Sequence, residues 1–429
     1  MKVYEKVYNF YVNQIEDKSL LPGDRMPSIR QSEKILSVSR TSIETAYLQL
    51  AADGYIYSVE KVGYFVSETA ERFFAQTKVR EESPKEDSSV AYKYDLATIG
   101  EDRTVSCLQL WRRYMKSALR QEDRLLNYPS SQGEEDLRRE IAVHVRKTRN
   151  IICSAEDVVI GAGFQNLLQI LIALIPGEKT ISFPTKNFSD GAMTFKNAGF
   201  QVNFRDKESH VIYVTPSYMT KWGEVMTMKR RHELIEHSLK NNHLIIEDDY
   251  QNDFVFSSKP TPSLYAMTGG ENTAFLGSFS RVLLPSVRIS FLILPKGTRE
   301  DYESIKGYYN QTASIAEQIA LAQFLRDGHL NRHIKKMRKL YDEKRKLMKS
   351  SLEQVFKDDA KVLMGESGME LAVQLHKKYD VKRFKNDIVN ANHIDGIDAG
   401  TMLLLSCSKI DKNEIPAAVR ALKKSSNFS

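Results

Sequence analysis

The residues best suited to chemistry fall into two sets. The first is Arg30, Arg40, Thr41 and Ser42, two guanidiniums and two hydroxyls near the N-terminus. Arginines and small hydroxyls at the start of a helix are side chains that contact phosphates and base edges of a DNA duplex. Thr41 and Ser42 serve equally well as caps of the helix they open. The second set centres on Asp248, which ends the run Leu244-Ile-Ile-Glu-Asp. The C-terminal end of a strand is where α/β sheets bind ligands. Its neighbour Asp249 reads instead as a helix-capping or loop-surface carboxylate. Cys107, Cys153 and Cys407 are scattered, without a CxxC pair or a histidine at metal spacing. That pattern argues against a zinc site and suits a reducing cytoplasm.

The elements that must position these groups can be read from periodicity. In residues 1–66, Val3, Val7, Tyr11 and Ile15 recur at helical spacing. The turn LPGDRMP follows, and Ser28 with Gln31 forms a capping box for a short second helix ending near Leu36. Thr41 with Glu44 reads as another capping box, opening a third helix that carries Ile43, Ala46, Tyr47 and Leu50 and stops at Gly54. Two β-like runs, YIYS and YFVS, flank a turn near Lys61–Gly63. Three helices and a hairpin describe a winged helix-turn-helix, with Gly63 shaping the wing's turn.

Residues 67–92, with the run EESPKEDSS, read as a flexible polar linker. From 93 to about 300, strands expected at Val158–Ile160, Thr180–Phe183, Val211–Val214, Leu244–Glu247, Ala274–Leu276 and Ile289–Leu294 alternate with helical stretches. Such alternation predicts a mostly parallel, helix-covered α/β sheet. Residues 301–429 begin with a long helical region and end as a smaller α+β part.

The whole chain has 429 residues, 41% hydrophobic and 27% charged, which excludes a disordered chain and a disulfide scaffold. The charged start is no signal peptide. The most apolar stretch, Leu167–Ile175, is far shorter than the roughly 20 residues of a membrane helix. Net charge is +7, yet residues 1–66 hold eight Lys/Arg against eight Asp/Glu. DNA binding at the N-terminus must therefore rest on the placement of a few side chains. The basic run from Arg332 to Lys349 reads as a solvated helix face.

The N-terminal anchors PGDRMPSIR, VSRTSIETAY, DGYIY and GYFV resemble the winged-helix domain of GntR-type regulators. This sequence departs from that family at Ser32, Glu33 and Ser37. The remainder resembles fold-type I aminotransferases as fused to such a domain in MocR-type regulators. Seven segments carry that resemblance in the family's order: YPSSQGEEDLRREIA, VVIGAGFQNLLQIL, VTPSYMTKWGEVMTMKRRHELIE, IIEDDYQNDF, PSLY, GSFSRVLLPSVRISFLILP and GHLNRHIKKMRKLYDEKRKLM.

The resemblance implies a pyridoxal phosphate site, with departures. Asp248 matches the carboxylate that pairs with the pyridinium nitrogen, and Tyr250 the tyrosine that reaches the ring oxygen. Ser278, Ser280 and Arg288 match phosphate contacts, and Phe188 the ring-stacking aromatic. For Tyr250 and Arg288 a structural role is an equal reading. Gly163 and Phe164 occupy the phosphate-binding turn, where the family has a small hydroxyl or amide residue in place of Phe164. The lysine that links the cofactor is Arg281 here, and a guanidinium stays protonated and is a poor nucleophile. The arginine that clamps the substrate carboxylate is Leu404 here. These losses predict an inactive aminotransferase-like domain in which pyridoxal phosphate is non-covalent or absent. The leading expectation is a cytoplasmic, homodimeric transcription regulator that binds an operator in double-stranded DNA and senses a small-molecule effector. The competing readings are an active aminotransferase with an appended domain, and a dimerisation scaffold with a vestigial pocket.

Overall fold

The computed structural model describes residues 2–68, 93–100, 102, 104–185, 188–256, 261–376, 389, 390, 392–394 and 401–425. Most of the expected linker, from residue 69 on, lies outside the described residues. The chain divides into two compact units, Met1–Val90 and Ala91–Ser429.

The first unit consists of α1 (Val3–Glu16), α2 (Ile29–Leu36), α3 (Arg40–Ala52), β1 (Ile56–Val59) and β2 (Gly63–Val66). Val7, Tyr11 and Ile15 of α1 pack on Ile43, Ala46, Tyr47 and Leu50 of α3, and Ile56 and Val66 close the core. The Ser28–Gln31 capping box forms: the Gln31 N–H donates to Ser28 Oγ at 3.3 Å, and the Ser28 N–H to Gln31 Oε1 at 2.8 Å. The expected box at Thr41 and Glu44 does not. Ser39 is the extended residue before α3, its carbonyl accepts from the Ser42 and Ile43 N–H groups, and the helix begins at Arg40. Thr41 therefore sits inside the first turn, and Glu44 pairs with Arg40 instead.

Ser32 and Ser37 find defined roles. Ser32 is fully buried, and its hydroxyl lies 2.7 Å from Tyr11 Oη and 2.8 Å from Tyr47 Oη, while Tyr47 donates to the Pro27 carbonyl. One small hydroxyl thus ties all three helices through satisfied polar groups, which gives a buried network its specificity. Ser37 ends α2 in the left-handed region at φ 52°. The wing pairs Ile56 with Val66 and Val59 with Gly63. Arg25 braces it by donating from its guanidinium to the Val62 carbonyl.

In the second unit, a seven-stranded sheet contains β4 (Val158–Gly161), β5 (Thr180–Phe183), β6 (Gln201–Phe204), β7 (Val211–Val214), β8 (Leu244–Asp248), β9 (Thr273–Ser278) and β10 (Ser290–Ile293), while β3 (Tyr94–Asp95) stands outside it. The order is β4-β10-β9-β8-β7-β5-β6. Every pairing is parallel except those of β10, which runs antiparallel to both neighbours. β6 was not anticipated, because Gln201-Val-Asn-Phe is a polar, partly exposed edge without clear alternation.

A second, antiparallel sheet holds β11 (Ala360–Leu363), β12 (Glu370–Leu375), β14 (Asn392–Ile394) and β15 (Thr401–Ser406) in the order β11-β12-β15-β14. β13 (Val389–Asn390) pairs with β3. The helical region expected after residue 300 holds a long helix, His329–Phe356. Its buried stripe includes Leu330, Ile334, Met337, Tyr341, Met348 and Leu352, while Arg332, Lys335, Lys336 and Lys339 stay exposed, but the expected solvated face does not hold along the whole run: Lys344 and Arg345 are buried, Lys344 ion-paired with Asp102 at 2.8 Å and Arg345 lying over the Phe256 ring. No helix among the described residues is long and apolar enough to cross a membrane.

Candidate functional site

The C-terminal ends of β8 and β9, the start of the helix Phe164–Leu174 and the loop before β10 enclose a cavity of about 420 Å³. All nine candidate cofactor residues line it: Gly163, Phe164, Phe188, Asp248, Tyr250, Ser278, Ser280, Arg281 and Arg288. A strand-end carboxylate, a pair of serines and two guanidiniums therefore share one space.

Asp248 is the last residue of β8 and is buried. Its carboxylate accepts from the Tyr213 hydroxyl and from the Tyr250 N–H at 3.3 Å. Burial pushes its pKa up to about 6, against the opposing pull of the Tyr213 hydrogen bond. Phe188 lies against Tyr213 with ring centroids 5.0 Å apart, and against Phe164 at 5.6 Å. These rings give one side of the cavity an aromatic wall. Phe164, anomalous for the family's phosphate turn, belongs to that wall.

Beside that wall the helix Phe164–Leu174 begins at Gly163, in the left-handed region with φ 99°. A side chain there would bring a Cβ to 3.0 Å from Arg288 Nη2, so glycine lets the guanidinium lie against the helix start. Ser278 Oγ accepts from the Ser280 N–H at 3.3 Å and from the Ser290 hydroxyl at 3.1 Å, and the Ser280 hydroxyl donates to the Val287 carbonyl at 3.0 Å. An arginine, two hydroxyls and a helix N-terminus make a cradle suited to an anion.

Arg281 occupies a third corner. Its Nη2 stands 3.6 Å from Glu370 Oε1, on β12 of the second sheet. Glu370 is 2% exposed, and its Oε2 accepts from the Tyr218 hydroxyl at 3.0 Å and the Met369 N–H at 2.9 Å. Tyr218 meets Tyr250 edge to face at 5.7 Å. Glu370, Tyr218 and Met369 were missed by sequence reasoning. The available signal was a carboxylate opening the mostly apolar strand ELAVQL.

Two positions need correction or refinement. Asp249 is neither a cap nor a surface carboxylate: it is 6% exposed and ion-paired with Arg149, which also reaches Asp253 at 2.9 Å. The buried pair joins the strand end to the helix Glu135–Arg149, so it belongs to the scaffold beneath the cavity. Leu404 does not line the cavity. It packs with Trp222, Leu363, Ala372 and Met402 in a small apolar cluster on the second sheet.

In the first unit, Arg30 and Thr41 are exposed, and Ser42 is partly covered with its hydroxyl 3.0 Å from that of Ser39. Arg40 leaves 63% of its side chain exposed while its Nε donates to Glu44 at 2.8 Å. Gly63 opens β2 at φ 135°, with Arg25 Nε 3.5 Å from where a Cβ would sit, which fits a turn-shaping role.

Residues 3–66 match the family of bacterial regulatory proteins named gntR, and residues 100–395 match aminotransferase class I and II. The HTH-type transcriptional regulator YhdI of Bacillus subtilis (strain 168) is 33% identical over 390 residues, covering 87% of this chain and 83% of the relative. The probable rhizopine catabolism regulatory protein MocR of Rhizobium meliloti is 25% identical over 403 residues, covering 87% and 81%. The chain belongs to the MocR-type transcription regulators. Among solved structures, the MocR-type body resembles LysN, the α-aminoadipate aminotransferase of Thermus thermophilus, whose crystal structure holds N-(5'-phosphopyridoxyl)-L-leucine. That match has a TM-score of 0.64 at 19% identity and covers 77% of this chain and 91% of LysN, a likeness of fold. An aminotransferase fold in a MocR-type regulator makes the cavity a place to ask about pyridoxal phosphate, not a demonstration of transamination.

Proposed function

We propose that this MocR-type regulator grips an operator as a homodimer through two winged helices, and that its aminotransferase-like body senses a ligand held without a covalent bond. The observation that carries this reading is Arg281, a permanently charged guanidinium beside Glu370 at the position where the family's linking chemistry needs a free amine. The Arg288–Gly163–serine cradle suits a phosphate, and buried Asp248 suits the nitrogen of a pyridine ring. When bound, pyridoxal phosphate would supply an electron-withdrawing ring and an aldehyde. This chain's residues would orient that ring against Phe188 but have no lysine at position 281 to link it or move its proton. Leu404, packed against Trp222, gives an amino-acid carboxylate no cation.

Dimerisation draws support from exposed aromatic and aliphatic groups. Leu126, Tyr128 and Tyr308 are at least four-fifths exposed. Their loops are joined where Gln311 Nε2 donates to the Ser131 and Ile160 carbonyls, each at 3.2 Å. Apolar groups left in water on adjoining loops are what a partner subunit covers. Ligand binding would act on DNA affinity only through a difference in affinity for two body conformations. Mass spectrometry of the full-length protein after incubation with pyridoxal phosphate and borohydride tests the non-covalent reading. We expect no stable adduct and full loss of the cofactor on dialysis; a stoichiometric adduct on any single lysine would overturn it.

A further inference from the structure

Charge is unevenly distributed along this chain. Residues 1–66 are neutral and residues 67–92 carry a net −2, so the net +7 of the whole leaves +9 on residues 93–429. Two short stretches account for that excess. Residues 108–121 hold four Lys/Arg and residues 329–341 hold five, and neither stretch holds an Asp or Glu. A winged helix without net charge has little to attract a polyanion, although the chain belongs to a family of HTH-type transcription regulators.

The fold brings the two stretches together. The first forms the helix Leu108–Ala118, and the second opens the helix His329–Phe356. Tyr114 of the former meets His329 of the latter edge to face, ring centroids 5.6 Å apart, and its hydroxyl donates to the Asp327 carboxylate. Lys336 Nζ donates to the carbonyl of Thr104, in the segment leading into the first helix, at 3.4 Å. Arg112, Arg113, Lys116, Arg332, Lys335 and Lys336 are all exposed. Arg332, like Lys336, bonds to neutral groups: its Nη2 donates to the Asp327 carbonyl and to His329 Nδ1, each at 2.9 Å. Other exposed helix faces interleave the two signs, as in Arg139 with Glu135 and Lys229 with Glu233. A face of one sign repels itself, and a partner of opposite charge relieves it.

We propose that this basic face of the aminotransferase-like body is a second DNA-contacting surface, which binds phosphates of the duplex flanking the operator without reading its sequence. Lys and Arg side chains that meet phosphates release counterions and add affinity that no base edge has to supply. From Arg332 to Lys339 the helix rises about 10 Å, the length of about three steps along one DNA strand. Both units lie on one chain, so a winged helix seated on its operator keeps duplex at high local concentration around the body. The neutral winged helix then supplies placement, and the body supplies charge. The inference rests on the DNA-binding reading of the first unit and is independent of any ligand in the cavity.

The experiment is fluorescence anisotropy of the full-length protein on a random-sequence duplex of about 60 base pairs, from about 0.05 to about 0.2 M salt. The face variant carries Arg113→Gln, Lys116→Gln, Arg332→Gln, Lys335→Gln and Lys336→Gln. A control variant carries Lys207→Gln, Lys229→Gln, Arg230→Gln, Lys240→Gln and Lys296→Gln, exposed residues elsewhere on the body with the same change in charge. We expect the face variant to bind at least about tenfold more weakly at about 0.1 M salt, and its log–log salt slope to shrink by about 3, near 1 for each lost phosphate contact. The control should stay within about threefold of the unaltered protein. Lys116→Glu with Lys335→Glu, a smaller change, should weaken binding in the same direction and serves if circular dichroism shows the face variant unfolded. Preference for the DNA upstream of the chain's own gene should survive in the face variant, because phosphate contacts carry no sequence information. Unchanged duplex binding by the folded face variant, or an equal loss in the control, overturns the proposal. A lack of preference for the upstream DNA in the unaltered protein counts against the regulator reading instead, since the random duplex tests the basic face by itself.

Discussion

The winged helix and the cavity are built in opposite ways. In the winged helix, the side chains proposed to contact DNA lie outside a closed core, and their placement is local. Ser28 caps α2, Ser37 turns the chain, and Arg40 stands at the start of α3, a short distance along the chain from both. In the cavity, the polar groups come from far apart: Gly163 at a helix start, Asp248 and Ser278 at strand ends, Arg288 in a loop, and Glu370 from a second sheet. A local site survives substitution around it. A site assembled from distant elements can keep its walls and change its chemistry through one exchange, which is the reading proposed for Arg281.

The largest expected effect concerns the winged helix in isolation. A fragment of residues 1–75 should fold around its own core yet bind an operator about 10²- to 10⁴-fold more weakly than the full chain, because the proposed dimer would link two heads and a nearly neutral single head neutralises few phosphates. Fluorescence anisotropy of both proteins on one operator checks this, and comparable affinities would remove the linked-head account.

For the cavity, the corresponding change is Arg281→Lys. With Asp248, Tyr250, Ser280 and Arg288 still lining the space, the variant should bind pyridoxal phosphate covalently. It should gain an absorbance band near the visible edge that borohydride abolishes. Efficient transamination should not return, because Leu404 supplies no cation to orient the substrate. A colourless variant in saturating cofactor would mean the walls have been rebuilt for something else.

A smaller effect is expected at the protein surface. Arg40→Ala should weaken operator binding by about 1–3 kcal/mol if the guanidinium leaves Glu44 for a base edge. Unchanged affinity by titration would assign Arg40 to its intrahelical ion pair alone. An effect of comparable size, on stability rather than binding, concerns Asp248. Its pKa in the folded protein, about 6, exceeds the ordinary carboxylate value of 3.8, so the folded state holds the proton more tightly than the unfolded chain. The contribution of Asp248 to stability therefore falls as pH rises from about 4 to about 6. The total is up to about 3 kcal/mol at 1.36 kcal/mol per pKa unit. In thermal melts Asp248→Asn should gain on the unaltered protein across that interval and hold a constant offset above it. An offset that does not vary with pH would contradict a buried, titrating Asp248.

Much of this was legible in the sequence, for physical reasons that differ by region. The winged helix announces itself through short-range signals: a capping box, a glycine stop and a hairpin. Its one misread cap, at Thr41, arose because Ser39, Thr41 and Ser42 offer several starts for α3, and the chain uses Ser39. The buried strands were clear because they are apolar runs, whereas edge strand β6 carries no such mark. The cavity residues were recovered through family resemblance, since nothing local in Ser278-Phe-Ser-Arg tells what it faces. Glu370 escaped because its neighbour Arg281 lies on a distant stretch of chain, and Asp249 because its partner Arg149 lies on a distant helix.

The central claim is that this chain reads DNA specifically through paired winged helices. It is tested most directly by titrating the full-length protein onto the DNA upstream of its own gene and onto unrelated DNA of the same length, at about 0.15 M salt where the Debye length is near 8 Å. The account predicts tighter binding to the upstream DNA by at least about 10³-fold, the low end for specific recognition, with two chains per site. Equal affinity for both fragments would contradict it.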